Sequence, residues 1–107
     1  MIYELQVPAN TTQAAPVSKS FDIGRGRLKF IKVTVPDGHK YLARLQIKTK
    51  GRLIVPDPGS GEQYLRGNNN ALEFVLPVSL DGPPFEITLS GWSEDDTYPH
   101  TFFVEVA

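Results

Sequence analysis

The feature that most constrains this chain is an alternation of apolar and polar residues with period two, broken about every 8–12 residues by glycine or proline. Successive side chains of a strand point to opposite faces, so such a run buries one face and wets the other. Tyr3, Leu5 and Val7 share a face against Glu4 and Gln6. Tyr41, Ala43, Leu45 and Ile47 alternate with Leu42, Arg44, Gln46 and Lys48, the cleanest stretch in the chain. Leu72 with Phe74, Phe85 with Ile87 and Leu89, and Phe102 with Val104 and Val106 repeat the pattern. Shorter runs at 18–23, 27–35 and 52–55 bring the expectation to about eight strands. Between them, Gly24-Arg25-Gly26, Pro36-Asp37-Gly38, the Pro/Gly loop at 56–61, Gly67-Asn68-Asn69-Asn70 and Asp81-Gly82-Pro83-Pro84 are turn signals. No window carries the spacing of an amphipathic helix. The pattern predicts an all-β fold, a two-sheet antiparallel sandwich of jelly-roll or related Greek-key topology. A seven-stranded immunoglobulin-like sandwich is the near alternative, although Trp92 falls too late for that family's buried tryptophan.

Length sets the scale. At 107 residues the chain reads as a single domain, 1–107, with one thin core and no room for a large enclosed cavity. The small and polar residues of 8–18 read as a loop or an extended arm. Cysteine is absent, which excludes a disulfide scaffold, thiolate metal sites and cysteine catalysis. No apolar run approaches the roughly 20 residues of a membrane helix. The first residues alternate like a strand and show no secretory signal, so the expected place of action is where the protein is made, or outside as cargo of a larger assembly.

Charge is unevenly laid out. Residues 1–55 hold ten of the eleven Lys and Arg against three acids, and residues 56–107 hold Arg66 alone against nine acids. Three readings follow. The two halves pair within the monomer and neutralise one another. Alternatively, a surface basic on one side and acidic on the other drives head-to-tail contacts between copies; Lys29, Lys32 and Arg44, with Glu73 and Glu86, are the residues placed for such contacts. Nucleic-acid binding fits poorly, because the basic residues are spread over several strands and the net charge is −1.

Catalytic and metal motifs are missing. The acid cluster Glu94-Asp95-Asp96 lacks the spaced carboxylates and glycine of a calcium loop, and reads as a solvated turn. His39 and His100 lie 61 positions apart and read as surface or strand-end residues. Pro58-Gly59-Ser60-Gly61 misses the nucleophile-elbow spacing, and Gly24-Arg25-Gly26 precedes no helix that would cradle a phosphate. The expectation is no enzyme, no cofactor and no metal. Trp92 directly follows Gly91 at the end of a strand, which reads as packing at a sandwich edge. The second reading is an aromatic platform for sugar rings from Trp92 and Tyr98, with Tyr64 as a further candidate, which makes a carbohydrate- or receptor-binding module the alternative function.

One resemblance spans most of the chain. The run Pro36-Asp37-Gly38-His39-Lys40-Tyr41-Leu42, the Pro/Gly loop, and the Gly91-Trp92 step before Tyr98-Pro99-His100 together resemble small structural proteins of tailed bacteriophages and related viruses, the capsid-decorating or virion-surface sandwiches. That resemblance implies a non-enzymatic virion component made in the host cytoplasm. It also implies self-assembly or docking on a major capsid protein, with neither nucleic acid nor membrane as partner.

Overall fold

The alternating runs become eight strands in the computed structural model, which describes residues 2–22, 28–49, 52–56, 63–80 and 86–106, without the side chains of 28, 29, 52 and 75–80. They are β1 (Ile2–Val7), β2 (Val17–Asp22), β3 (Leu28–Val35), β4 (Ala43–Thr49), β5 (Arg52–Val55), β6 (Asn70–Leu80), β7 (Glu86–Ser93) and β8 (His100–Val106). The first sheet has the order β1-β8-β3-β6 and the second β2-β7-β4-β5, and every pairing is antiparallel. The pairings β1·β8, β2·β7, β3·β6 and β4·β5 are nested, like a long hairpin folded back on itself. Two further pairings, β3·β8 and β4·β7, roll that hairpin into two facing sheets, which is the jelly roll the pattern called for.

The core follows from the period. Leu5 and Val7, Ile31, Val33 and Val35, Leu45 and Ile47, Ile87 and Leu89, Phe102 and Val104 all turn inward and are fully buried or nearly so. Phe102 is the largest of them, and burying such a side chain contributes about 1.5–3 kcal/mol. Gly91 faces the opposing sheet, where a Cβ would meet Val7 Cγ2 at 2.7 Å, so only glycine lets β7 and β1 approach this closely.

One departure from the sequence pattern matters for function. Tyr41 shares its parity with Ala43 and Leu45, yet it precedes β4 and is 57% exposed. The turn after Pro36 runs on through Lys40 (φ 49°) and Tyr41 (φ 62°), two consecutive non-glycine residues in the left-handed region. Each such residue costs about 1–2 kcal/mol, so the surroundings must hold them there. Asn68 Oδ1 does so by accepting from Gly38 N (3.0 Å) and Lys40 N (2.9 Å), while Tyr41 N donates to the Gly67 carbonyl (3.2 Å).

Residues 8–16 form a loop tied to the end of β7, and Val17 and Ser18 already belong to β2. Asn10 N donates to the Asp95 carbonyl (2.7 Å) and Ser93 N donates to the Thr11 carbonyl (3.0 Å). The turns expected at 24–26, 58–61 and 81–84 and the Phe85 position lie outside the described residues.

Candidate functional site

Along β4 and β7, Arg44 stands opposite Trp92, and because Leu45 and Gly91 face inward, both lie on the outer face of the second sheet. Residues 63–66 extend this sheet beside β4. Leu45 and Leu65 exchange two backbone hydrogen bonds of 2.8 Å, and Gln46 Nε2 donates to the Gln63 carbonyl (2.6 Å). Leu65 therefore turns into the core, and its neighbour Tyr64 lies outside, against Arg44 and Trp92. The Tyr64 ring meets the Trp92 ring edge-on, with centroids 5.7 Å apart, and the Arg44 guanidinium carbon sits 5.0 Å from the Tyr64 centroid. An aromatic pair of this geometry contributes about 0.5–1.5 kcal/mol and a cation–π contact about 0.5–1 kcal/mol.

Past the end of the β4–β7 ladder, Glu94 N donates to the Leu42 carbonyl (3.0 Å) and its carboxylate accepts from Arg44 Nη1 at 2.8 Å. That hydrogen bond and the Arg44 charge hold the Glu94 carboxyl below its ordinary range, with a smaller contribution from the Arg66 charge. Arg44 Nε is buried without a partner.

The ridge of Arg44, Tyr64 and Trp92 separates two open grooves of about 370 Å³ each. One is polar. Asn10, Thr11, Thr12 and Gln13 of the folded-back loop form one wall, and Arg44, Trp92, Ser93 and Glu94 form the other. The second groove is aromatic and apolar: Tyr41, Tyr64 and Arg66 meet Pro56, Leu65, Leu72 and Phe74.

A buried histidine pair is tied to the turn that follows β7. His39 and His100, only 2% and 8% exposed, stack at 4.7 Å, and Phe102 sits edge-on to His39 at 4.8 Å. Of the two readings, strand end holds for His100, which opens β8, and surface fails for both: the roll brings the turn after β3 against the start of β8. His39 Nε2 donates to the Thr101 carbonyl (3.0 Å), leaving Nδ1 a buried acceptor without a partner. Burial, above all, pushes the His39 imidazole below its ordinary value. His100 Nε2 donates to Asp95 Oδ2 at 2.7 Å. The other Asp95 oxygen accepts from Thr97 N (2.9 Å) and Tyr98 N (3.2 Å). Those bonds, the Thr97 one foremost, lower the Asp95 carboxyl. The acid cluster is thus only partly a solvated turn: Asp95 organises it, while Glu94 and Asp96 are exposed. Among the described residues, no group of three or more His, Asp or Glu is arranged to hold a metal ion.

The residues placed for assembly do not share one surface. Lys32 stands in register between Glu73 on β6 and Glu105 on β8, on the outer face of the first sheet. Arg44 and Glu86 belong to the outer face of the second sheet, on the other side of the sandwich, where Arg44 is paired to Glu94. Glu86 stands opposite Asp22. The Lys29 side chain lies outside the described residues. The basic first half and the acidic second half thus meet within the monomer at Lys32 and Arg44. Trp92 is only 4% exposed, so neither ring face is open to a sugar; Tyr64 covers it, and it contributes an edge to the groove. Tyr98 is 67% exposed on the turn beyond β7 and lines neither groove. Residues 10–13 are the site members that the sequence does not single out; alternation places Tyr41 on the buried face instead, and Tyr64 enters only as a platform candidate.

No protein-family model and no curated protein sequence matches this chain. Among solved structures it is similar to a family 35 carbohydrate binding module from Clostridium thermocellum, at 12% identity and a TM-score of 0.50, covering 100% of this chain and 92% of that one. It is also similar to the pre-peptidase C-terminal domain of a Bacillus anthracis collagenase (12% identity, TM-score 0.49, 100% of this chain and 88% of that one). A third similarity is to the infectious bursal disease virus Gx strain (9% identity, TM-score 0.42), in which the chain spans 32% of the matched chain's length. At these identities the likeness is one of fold: the chain is an antiparallel β-sandwich. Function must come from the site.

Proposed function

We propose that this chain is a non-catalytic carbohydrate-binding module. One observation carries the reading: an Arg44–Tyr64–Trp92 ridge flanked by a polar groove on one side and an aromatic groove on the other. A sugar ring presents hydroxyls that both donate and accept around its rim, and C–H groups on its faces. The polar groove meets the rim with the amides of Asn10 and Gln13, threonine hydroxyls, a guanidinium and a carboxylate, so both hydrogen-bond roles are supplied. The grooves fall within the range of small-molecule sites, roughly 300–1,000 Å³. Glu94 and Asp95 are both held low, which suits hydrogen-bond acceptors for sugar hydroxyls rather than a general acid. Trp92 is the one tryptophan and lines the polar groove, so its emission reports on binding there. Titration with a panel of neutral and acidic oligosaccharides should give a saturable change in Trp92 fluorescence, and a flat response across the panel refutes the proposal.

A second reading, capsid decoration or virion-surface display, draws on the outer face of the first sheet. Ile2 and Phe103 remain exposed there between Glu4, Lys32 and Glu105, a mixed apolar and charged face suited to a second copy or a shell protein. Light scattering at low and high salt tests self-association. A discrete oligomer that F103K dissolves supports this reading, and a monomer of 11.9 kDa at every salt removes self-assembly from it.

A further inference from the structure

The carbohydrate reading leaves the aromatic groove and its guanidinium without an assigned partner. We infer that this groove receives the carboxylate-bearing ring of an acidic saccharide, with Arg66 gripping the carboxylate and Tyr41 packing on the ring. The inference rests on the carbohydrate reading and adds the charge class of the ligand.

Three observations carry it. The first is the backbone at Lys40 and Tyr41. A regular strand start would continue the alternation and turn Tyr41 inward with Ala43; instead two consecutive left-handed residues, fixed by Asn68 and Gly67, present its ring at the groove. Strain held in place by dedicated hydrogen bonds is a common mark of a functional position. A side chain anchored through its own backbone also loses little freedom when a ligand packs on it.

The second is the balance of charge around Tyr64. Two guanidiniums, of Arg44 and Arg66, share one carboxylate, that of Glu94. Arg44 takes the hydrogen bond, at 2.8 Å. Arg66 is exposed, and among the described residues no acid forms an ion pair with it, so one guanidinium fork faces the groove mouth unclaimed. The third is the remainder of the wall. Leu72, Phe74 and Pro56 supply no charge and suit the C–H face of a pyranose. A single planar fork beside an apolar wall matches a carboxylate, which it grips with two parallel hydrogen bonds.

The test compares an oligouronate with its carboxyl-reduced, neutral counterpart, by calorimetry on the intact protein. The expected result is tighter binding of the uronate by about tenfold or more, as a charge-assisted bidentate pair contributes. R66Q should abolish that preference, bringing the two ligands to equal affinity, and Y41A should weaken both ligands. Arg66 is exposed, so R66Q is expected to fold, which circular dichroism checks. Equal affinity for the two ligands overturns the inference and leaves the carbohydrate reading standing. A uronate preference that survives in R66Q also overturns it, since the carboxylate is then read elsewhere. Failure of both ligands to bind refutes the carbohydrate reading, and the inference falls with it.

Discussion

Gly91→Ala puts the packing of the two sheets to a quantitative test. A Cβ at this position would lie 2.7 Å from Val7 Cγ2, 3.2 Å from Leu5 Cδ2 and 3.2 Å from the Arg44 carbonyl oxygen. Carbon atoms pack comfortably at about 3.5–4.0 Å, so the Val7 contact overlaps by roughly 1 Å. Val7 is fully buried and β-branched, so it cannot swing away, and β1 itself must shift. Overpacking of this kind costs about 1–3 kcal/mol. Replacing glycine also restricts the unfolded chain, an opposing gain of about 0.4–1 kcal/mol. The clash wins, and the net loss is about 1–2 kcal/mol, or a fall of roughly 4–12 °C in Tm for a domain of this size. Urea denaturation should show a lower midpoint at unchanged slope. V7A alone should cost about 2–3 kcal/mol, from two buried methyl groups and the cavity they leave. In the double variant the new Cβ fills part of that cavity, so the total should fall short of the sum by about 1 kcal/mol or more. A neutral or stabilising G91A, or strict additivity with V7A, would refute this packing of β1 on β7.

Three further outcomes are expected. Y64A removes both the edge-on contact with Trp92 and the cation–π contact with Arg44, so thermal melts should show a loss of about 1–2.5 kcal/mol together with a red shift of Trp92 emission as the ring becomes wet. Asn68→Ala removes the oxygen that holds Gly38 and Lys40, and should weaken ligands of the aromatic groove; parent-like binding would show the acceptor is irrelevant. Stability should fall in acid in two stages. His39 sits below its ordinary value of 6.5, so its contribution is complete above that pH and declines as pH falls towards the lowered value; Asp95 sits below 3.8, so its contribution is lost only as pH falls further through its own lowered value. A urea midpoint that holds constant from pH 7 to pH 4 contradicts the His39 assignment, and one that holds as pH falls further, below 3.8, contradicts that of Asp95.

Alternation made the sandwich legible because each strand buries one face, and a period of two is hard to satisfy any other way. Tyr41 was misplaced because parity carries no information about backbone φ. It obeys the β4 pattern in sequence, and only the bonds from Gly67 and Asn68 keep it out of the strand. The split charge was visible, but its meaning depends on topology. The roll lays early strands against late ones, setting Lys32 between Glu73 and Glu105 and Arg44 on Glu94, fifty positions away. That Trp92 packs rather than stands open was legible from its place after Gly91 at a strand end; what covers it was not, because Tyr64 reaches it through a backbone bridge between Leu45 and Leu65. His39 and His100 carry no motif, and their burial together follows from the same long-range closure.

The most direct test of carbohydrate binding at the ridge is an amide chemical-shift titration of the ¹⁵N-labelled protein with the oligouronate. Saturable shifts should concentrate at residues 10–13, 41, 64–66 and 92–94, the walls of the two grooves. Shifts centred instead on Ile2, Lys32 and Phe103, or none at saturating ligand, would contradict it.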